Sequence, residues 1–181
     1  SCKKDVTLAE FKYADKGIVV DCDKFDLKLL NEALFSFEND ILKAYGNNKT
    51  DLSRPYSQYI RGGVYNSIKH DNIASQQSIN IAKVLKTKTD LWDNDKLNYN
   101  SKLFKCLKDK IISNDLKRTI NALTETNTMS KKVFGPAVLS SYRSAVTDKY
   151  LAAYIALDFF YPNLFDLKEE NTEANKTEEA K

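Results

Sequence analysis

Residues Asp148–Tyr161 read DKYLAAYIALDFFY, and Pro162 follows. Between Tyr150 and Tyr161 the one charged residue is Asp158. A helix that is apolar nearly all round has no face to give to water, so it is expected at the centre of a fold. Pro162 lacks a backbone N–H and is expected to end it. The segment is far short of the roughly 20 apolar residues that cross a bilayer. Membrane attachment, if any, must therefore be peripheral or covalent.

Working outward, the flanking periodicity is helical. Leu27, Leu30, Leu34, Phe37, Ile41 and Tyr45 recur at spacings of three and four, which predicts a helix from Asp26 to Tyr45. Asp23 or Asp26 caps it, and Gly46-Asn47-Asn48 ends it. A second helix is expected from a cap at Ser53, with Pro55 in its first turn and an interruption at Gly62-Gly63. There, either the helix kinks or another backbone passes close. A third is expected over 75–86, a fourth over 101–112, and a fifth capped by Ser113-Asn114-Asp115. Residues 90–100 read as a polar turn around Trp92. Residues 127–135 read as a loop, after which Pro136 opens a sixth helix. The expected fold class is all-α: an irregular bundle of five to seven helices packed around the central apolar helix near residues 148–161. Residues 1–22 are expected to be a lipidated tether, 23–166 a single helical domain and 167–181 an acidic disordered tail.

Composition agrees. Of 181 residues only five are Gly and three Pro, too few for a turn-rich sandwich or barrel, and the 20 aromatics exclude wholesale disorder. Residues 166–181 hold six acids and three lysines, hence −3, which leaves +6 on the rest of a chain whose net charge is +3. The lysines are spread along the chain with no block of five, so they read as solvated faces and nucleic acid is not an expected partner.

Chemistry-bearing motifs are sparse. His70 is the single histidine, which removes the two-histidine zinc and iron sites. No metal and no cofactor is expected. Gly62-Gly63 lacks a phosphate-cradling frame. A calcium loop counted from Asp90 fails, because Asp95 stands where glycine is needed and Ser101 where glutamate is needed. Glu32 and Glu38 lie six apart on the first helix and do not share a face with each other. Tyr56, Tyr59, Arg61 and Trp92 are the candidate interaction residues, since Tyr, Trp and Arg are enriched in interfaces. The plain alternative for the tyrosines is a core position with the hydroxyl on a carbonyl.

Ser1-Cys2-Lys3-Lys4 resembles the processed end of a bacterial lipoprotein, in which the cysteine thiol carries a diacylglyceryl group. The Cys-Lys-Lys start and the Tyr-, Asn- and Lys-rich helices are similar to small uncharacterised envelope lipoproteins of the Bacteroidota type. The resemblance implies lipidation at Cys2, an outer-membrane location facing the periplasm, and no particular activity. Cys22 and Cys106 then remain. In an oxidising periplasm they either pair, closing a loop of over 80 residues, or stay as two buried thiols acting as small apolar groups. The expected function is a non-enzymatic binding or scaffolding module for a protein or glycan partner, held at the membrane by its lipid. A small hydrolase or ligand-binding protein, with a pocket no motif reveals, is the alternative.

Overall fold

Four helices start where a short polar side chain meets an apolar run. In a computed structural model, which describes residues 6–167, Asp26, Ser75, Ser101 and Ser113 each accept the N–H three residues on. They open α1 (Leu27–Tyr45), α3 (Gln76–Lys86), α4 (Lys102–Lys110) and α5 (Asn114–Glu125). The remaining helices are α2 (Ser53–Val64), α6 (Lys131–Ser140), α7 (Tyr142–Thr147) and α8 (Lys149–Ile155). Residues Trp92–Asp93 (β1) and Lys96–Leu97 (β2) form the two-stranded antiparallel sheet. The fold is an irregular all-α bundle. None of its helices is long and apolar enough to cross a membrane, among the described residues.

Several elements differ from their sequence-based expectations. Ser53 is the first residue of α2, not its cap; Asp51 accepts from the Ser53 N–H at 2.7 Å. Gly62-Gly63 does not interrupt α2. What passes close is a side chain: a Cβ on Gly63 would lie 2.7 Å from the Phe159 ring. The turn around Trp92 is a hairpin. Asn94 (φ 49°) and Asp95 (φ 60°) both take left-handed backbone, as a tight two-residue turn requires. α6 begins at Lys131, capped by Ser130, and Pro136 sits inside it on the exposed side. Phe134 and Val138, four apart and buried, hold the opposite face and override the proline.

The expected central helix is central, but it is not uniform. After α8 the chain widens into a π turn over Ala156–Phe160, then tightens into a 3-10 turn over Tyr161–Leu164. Pro162 therefore lies within the helical path rather than ending it. The Phe159 carbonyl accepts the Asn163 side-chain amide at 2.7 Å, which satisfies an oxygen near the proline. Every residue from Leu151 to Tyr161 is buried.

α1 shares the centre. It packs against α2, α3, α8 and the π turn. The segment before it is a strap rather than a free tether: Val20 and Cys22 are buried, and Leu8 packs on the core. The lipidation expected at Cys2 and the disordered tail expected from 167 onward lie outside the described residues, apart from Leu167 itself, which packs against the core.

Candidate functional site

Buried polar groups were not foreseen in α1, yet they organise the molecule. The Asn31 side chain accepts from the Val19 and Val20 N–H groups at 2.8 and 3.0 Å and donates to the Val20 carbonyl at 2.9 Å. Glu32 accepts from the Lys12 and Tyr13 N–H groups and from Gln77 on α3. Asp40 accepts from Ser75 and from the Ser78 hydroxyl, the latter at 2.6 Å. Glu38 accepts from Lys149 at 2.8 Å, in an ion pair mostly shielded from water. Burial raises the pKa of Glu38 and of Asp40, while Lys149 and the two serines respectively pull them back down. These side chains point to different neighbours and form no shared acid pair.

A second polar centre sits on the π turn. Asp158, 8% exposed, accepts from the Tyr154 hydroxyl at 2.6 Å and from the Tyr99 hydroxyl at 3.0 Å. Burial raises its pKa, and the two tyrosine bonds and the Lys131 charge oppose that. His70 stands nearby, its Nε2 2.8 Å from the Tyr59 hydroxyl. Burial and the Lys131 charge push its pKa down to about 4, so the imidazole is neutral at pH 7.

The expected interaction residues divide. Tyr56 and Tyr59 are fully buried, packed edge-on against Phe37, and present no surface to a partner. This corrects the interface reading: aromatic spacing on α2 serves the core. Burial, and then the neighbouring Glu38 charge, hold the pKa of the Tyr56 hydroxyl well above its ordinary value. Arg61 is exposed. Trp92 is half-buried, its Nε1 donating to the Leu85 carbonyl at 2.7 Å and its ring edge-on to Phe165. Cys22 and Cys106 are joined in a disulfide, which fastens the strap to α4 across 84 residues.

Open concave space lies elsewhere. A cleft of about 790 Å³ is formed by three stretches distant in sequence. Lys24, Phe25 and Asp26 make one wall at the start of α1; residues 87–91 make the second, past the end of α3; Asn98 and residues 100–103 make the third, at the start of α4. Its volume falls within the roughly 300–1,000 Å³ of small-molecule sites. A smaller cleft of about 400 Å³ lies between the α1–α2 turn and Tyr142. Neither is lined by His70 or Asp158. Among the described residues no group of three His, Cys, Asp or Glu is placed to hold a metal ion.

No signal in any one stretch marks the larger cleft, because its walls come from three loop ends. The nearest trace is local: Asp26 and Ser101 are helix caps, with lysines at 24 and 102. Compared with known proteins, the chain matches no family model, no curated protein and no solved structure.

Proposed function

We propose that the chain is a non-enzymatic binding module of a bacterial envelope, anchored by lipid at Cys2, facing the periplasm, and receiving a protein or glycan partner. The observation that carries the reading is the 790 Å³ cleft, lined by lysine, asparagine, threonine and aspartate side chains. Convergent polar groups around a concave surface are what orient and select a ligand. The buried ionisable groups, by contrast, are engaged with internal partners: Asp158 with two tyrosines, Glu38 with Lys149 and His70 with Tyr59.

The Cys22–Cys106 disulfide supports the compartment, since such bonds persist in the periplasm and are rare in a reducing cytosol. The Ser-Cys-Lys-Lys context of Cys2 supports the anchor. Two measurements test the reading. Mass spectrometry is expected to find an acyl mass on the Cys2 peptide and no free thiol at Cys22 or Cys106; an unmodified Cys2 with reduced thiols would contradict the location. In a Cys2→Ala chain, which carries no lipid, filling the cleft with Asn100→Trp is expected to abolish retention on envelope fractions without changing the thermal melt. Unchanged retention would remove the cleft from the function.

A further inference from the structure

We infer that the larger cleft binds an acidic saccharide, a hydroxyl-rich ligand carrying carboxylate or phosphate groups. The inference rests on the cleft being the binding site and adds the chemistry of what it holds.

The first argument is unspent positive charge. Lys24, Lys88 and Lys102 border the cleft, and none makes an ion pair or side-chain hydrogen bond among the described residues. Two aspartates also line it, Asp26 as the cap of α1 and Asp90, so three lysines less two aspartates leave the charged side chains at +1.

The second argument is the arrangement of helix ends. Asp26 and Ser101, the caps of α1 and α4, both line the cleft; the Asp26 carboxylate offsets the positive end of α1, while the neutral Ser101 leaves that of α4 facing it. The first amides of each helix have no intrahelical acceptor. The negative end of α3 also reaches the cleft, at Thr87, but two of its last carbonyls already have two partners each. Val84 O accepts from the Thr87 N–H and from the Thr87 hydroxyl at 2.6 Å. Leu85 O accepts from the Lys88 N–H at 2.9 Å and from Trp92 Nε1 at 2.7 Å. The balance of charge in the cleft is positive by one unit, with the α4 end beside it.

The wall chemistry separates a sugar from an acidic peptide. Leu91 and Leu103 are 2% and 3% exposed, which leaves Phe25 as the main apolar contact. Thr89, Asn100 and the Asp90 carboxylate supply donors and acceptors suited to ring hydroxyls. An unpaired Asp90 would repel a bare phosphate and accept from a hydroxyl.

The test is calorimetric titration of the full chain with four probes: trigalacturonate, trehalose 6-phosphate, maltotriose and triaspartate. At least one acidic sugar is expected to bind about tenfold or more tighter than maltotriose, with affinity falling as salt rises. The Lys24→Ala, Lys88→Ala, Lys102→Ala triple variant is expected to lose that margin. A charge-matched triple at exposed Lys69, Lys105 and Lys132 is expected to keep it, and melting curves verify that both are folded. Maltotriose binding as tightly as the acidic sugars would overturn the acidic class and leave the binding-module reading standing. Triaspartate binding more tightly than either acidic sugar would overturn the saccharide and favour a peptide partner. No binding by any probe would overturn the inference; retention of the lipid-free Cys2→Ala chain, but not of its Asn100→Trp variant, on envelope fractions would then still uphold the broader reading.

Discussion

Both α1 and the segment from α8 through the π turn lie in the middle of the molecule, and they are held there by different chemistry. From Leu151 to Tyr161 nearly every contact is apolar or aromatic, with Phe160 against Phe37, Tyr59 and Tyr161. Its one acid, Asp158, is closed off by hydroxyls from its own helix and from Tyr99. α1 instead buries Asn31, Glu32, Ser36, Glu38 and Asp40, and all five hydrogen-bond a segment outside the helix. Apolar packing is non-directional and tolerates sliding; a carboxylate bonded to two chosen N–H groups does not. The apolar segment supplies cohesion, and α1 fixes where the strap and α3 sit. Both of those run directly into walls of the cleft, the strap through Cys22 into Lys24–Asp26 and α3 into Thr87–Leu91.

The comparison is sharpened first at its apolar end. Phe160→Ala is expected to destabilise the whole domain by about 3–5 kcal/mol, read by urea denaturation with an unchanged slope. Replacing both Cys22 and Cys106 by serine is expected to cost roughly 2–4 kcal/mol, because the bond spans 84 residues. Its signature is loosening of the strap ahead of global melting. Asp158→Ala strands the buried Tyr154 hydroxyl and is expected to cost about 1–3 kcal/mol. Glu32→Ala frees the Lys12 and Tyr13 amides and the Gln77 side chain. Its expected cost is about 1–2 kcal/mol, since the two strap amides can turn to water. Should Glu32→Ala unfold the domain as fully as Phe160→Ala, the division between the two regions would be lost.

The smallest expected effect is on pH dependence. His70 titrates at about 4 when folded against an ordinary 6.5. Between those values the unfolded chain binds a proton that the folded chain does not, so the His70 contribution is intact above 6.5 and is lost as pH falls towards 4. Asp158, Glu38 and Asp40, whose pKa values are raised, act in the opposite sense: their contribution is complete at low pH and is lost as pH rises through their folded values. The difference between wild type and His70→Gln isolates the histidine. The wild type is expected to lose stability relative to the variant from pH 6.5 down to 4, by chemical denaturation at each pH. A flat difference would show that the imidazole is not desolvated.

Local signals were legible in the sequence where the physics is local. Asp26, Ser75, Ser101 and Ser113 mark helix starts because capping involves residues three apart. The burial of Leu151–Tyr161 follows from composition alone. The anchoring roles of Glu32, Glu38 and Asp40 were not legible because their partners lie at Lys12, Lys149 and Ser75, beyond any window of sequence. Tyr56 and Tyr59 read as interface candidates because helical spacing is the same for a core stripe and a binding stripe. Pro136 misled because tertiary packing of Phe134 and Val138 outweighs a local break.

Hydrogen-exchange mass spectrometry on Asn31→Ala separates the two regions in a single data set. Asn31 grips Val19 and Val20 and makes no side-chain hydrogen bond to the 149–161 segment, among the described residues. Exchange is expected to rise across residues 12–26, including the cleft wall at Lys24–Asp26, while 149–161 keeps wild-type protection. A uniform rise along the chain, with 149–161 opening together with the strap, would contradict the account.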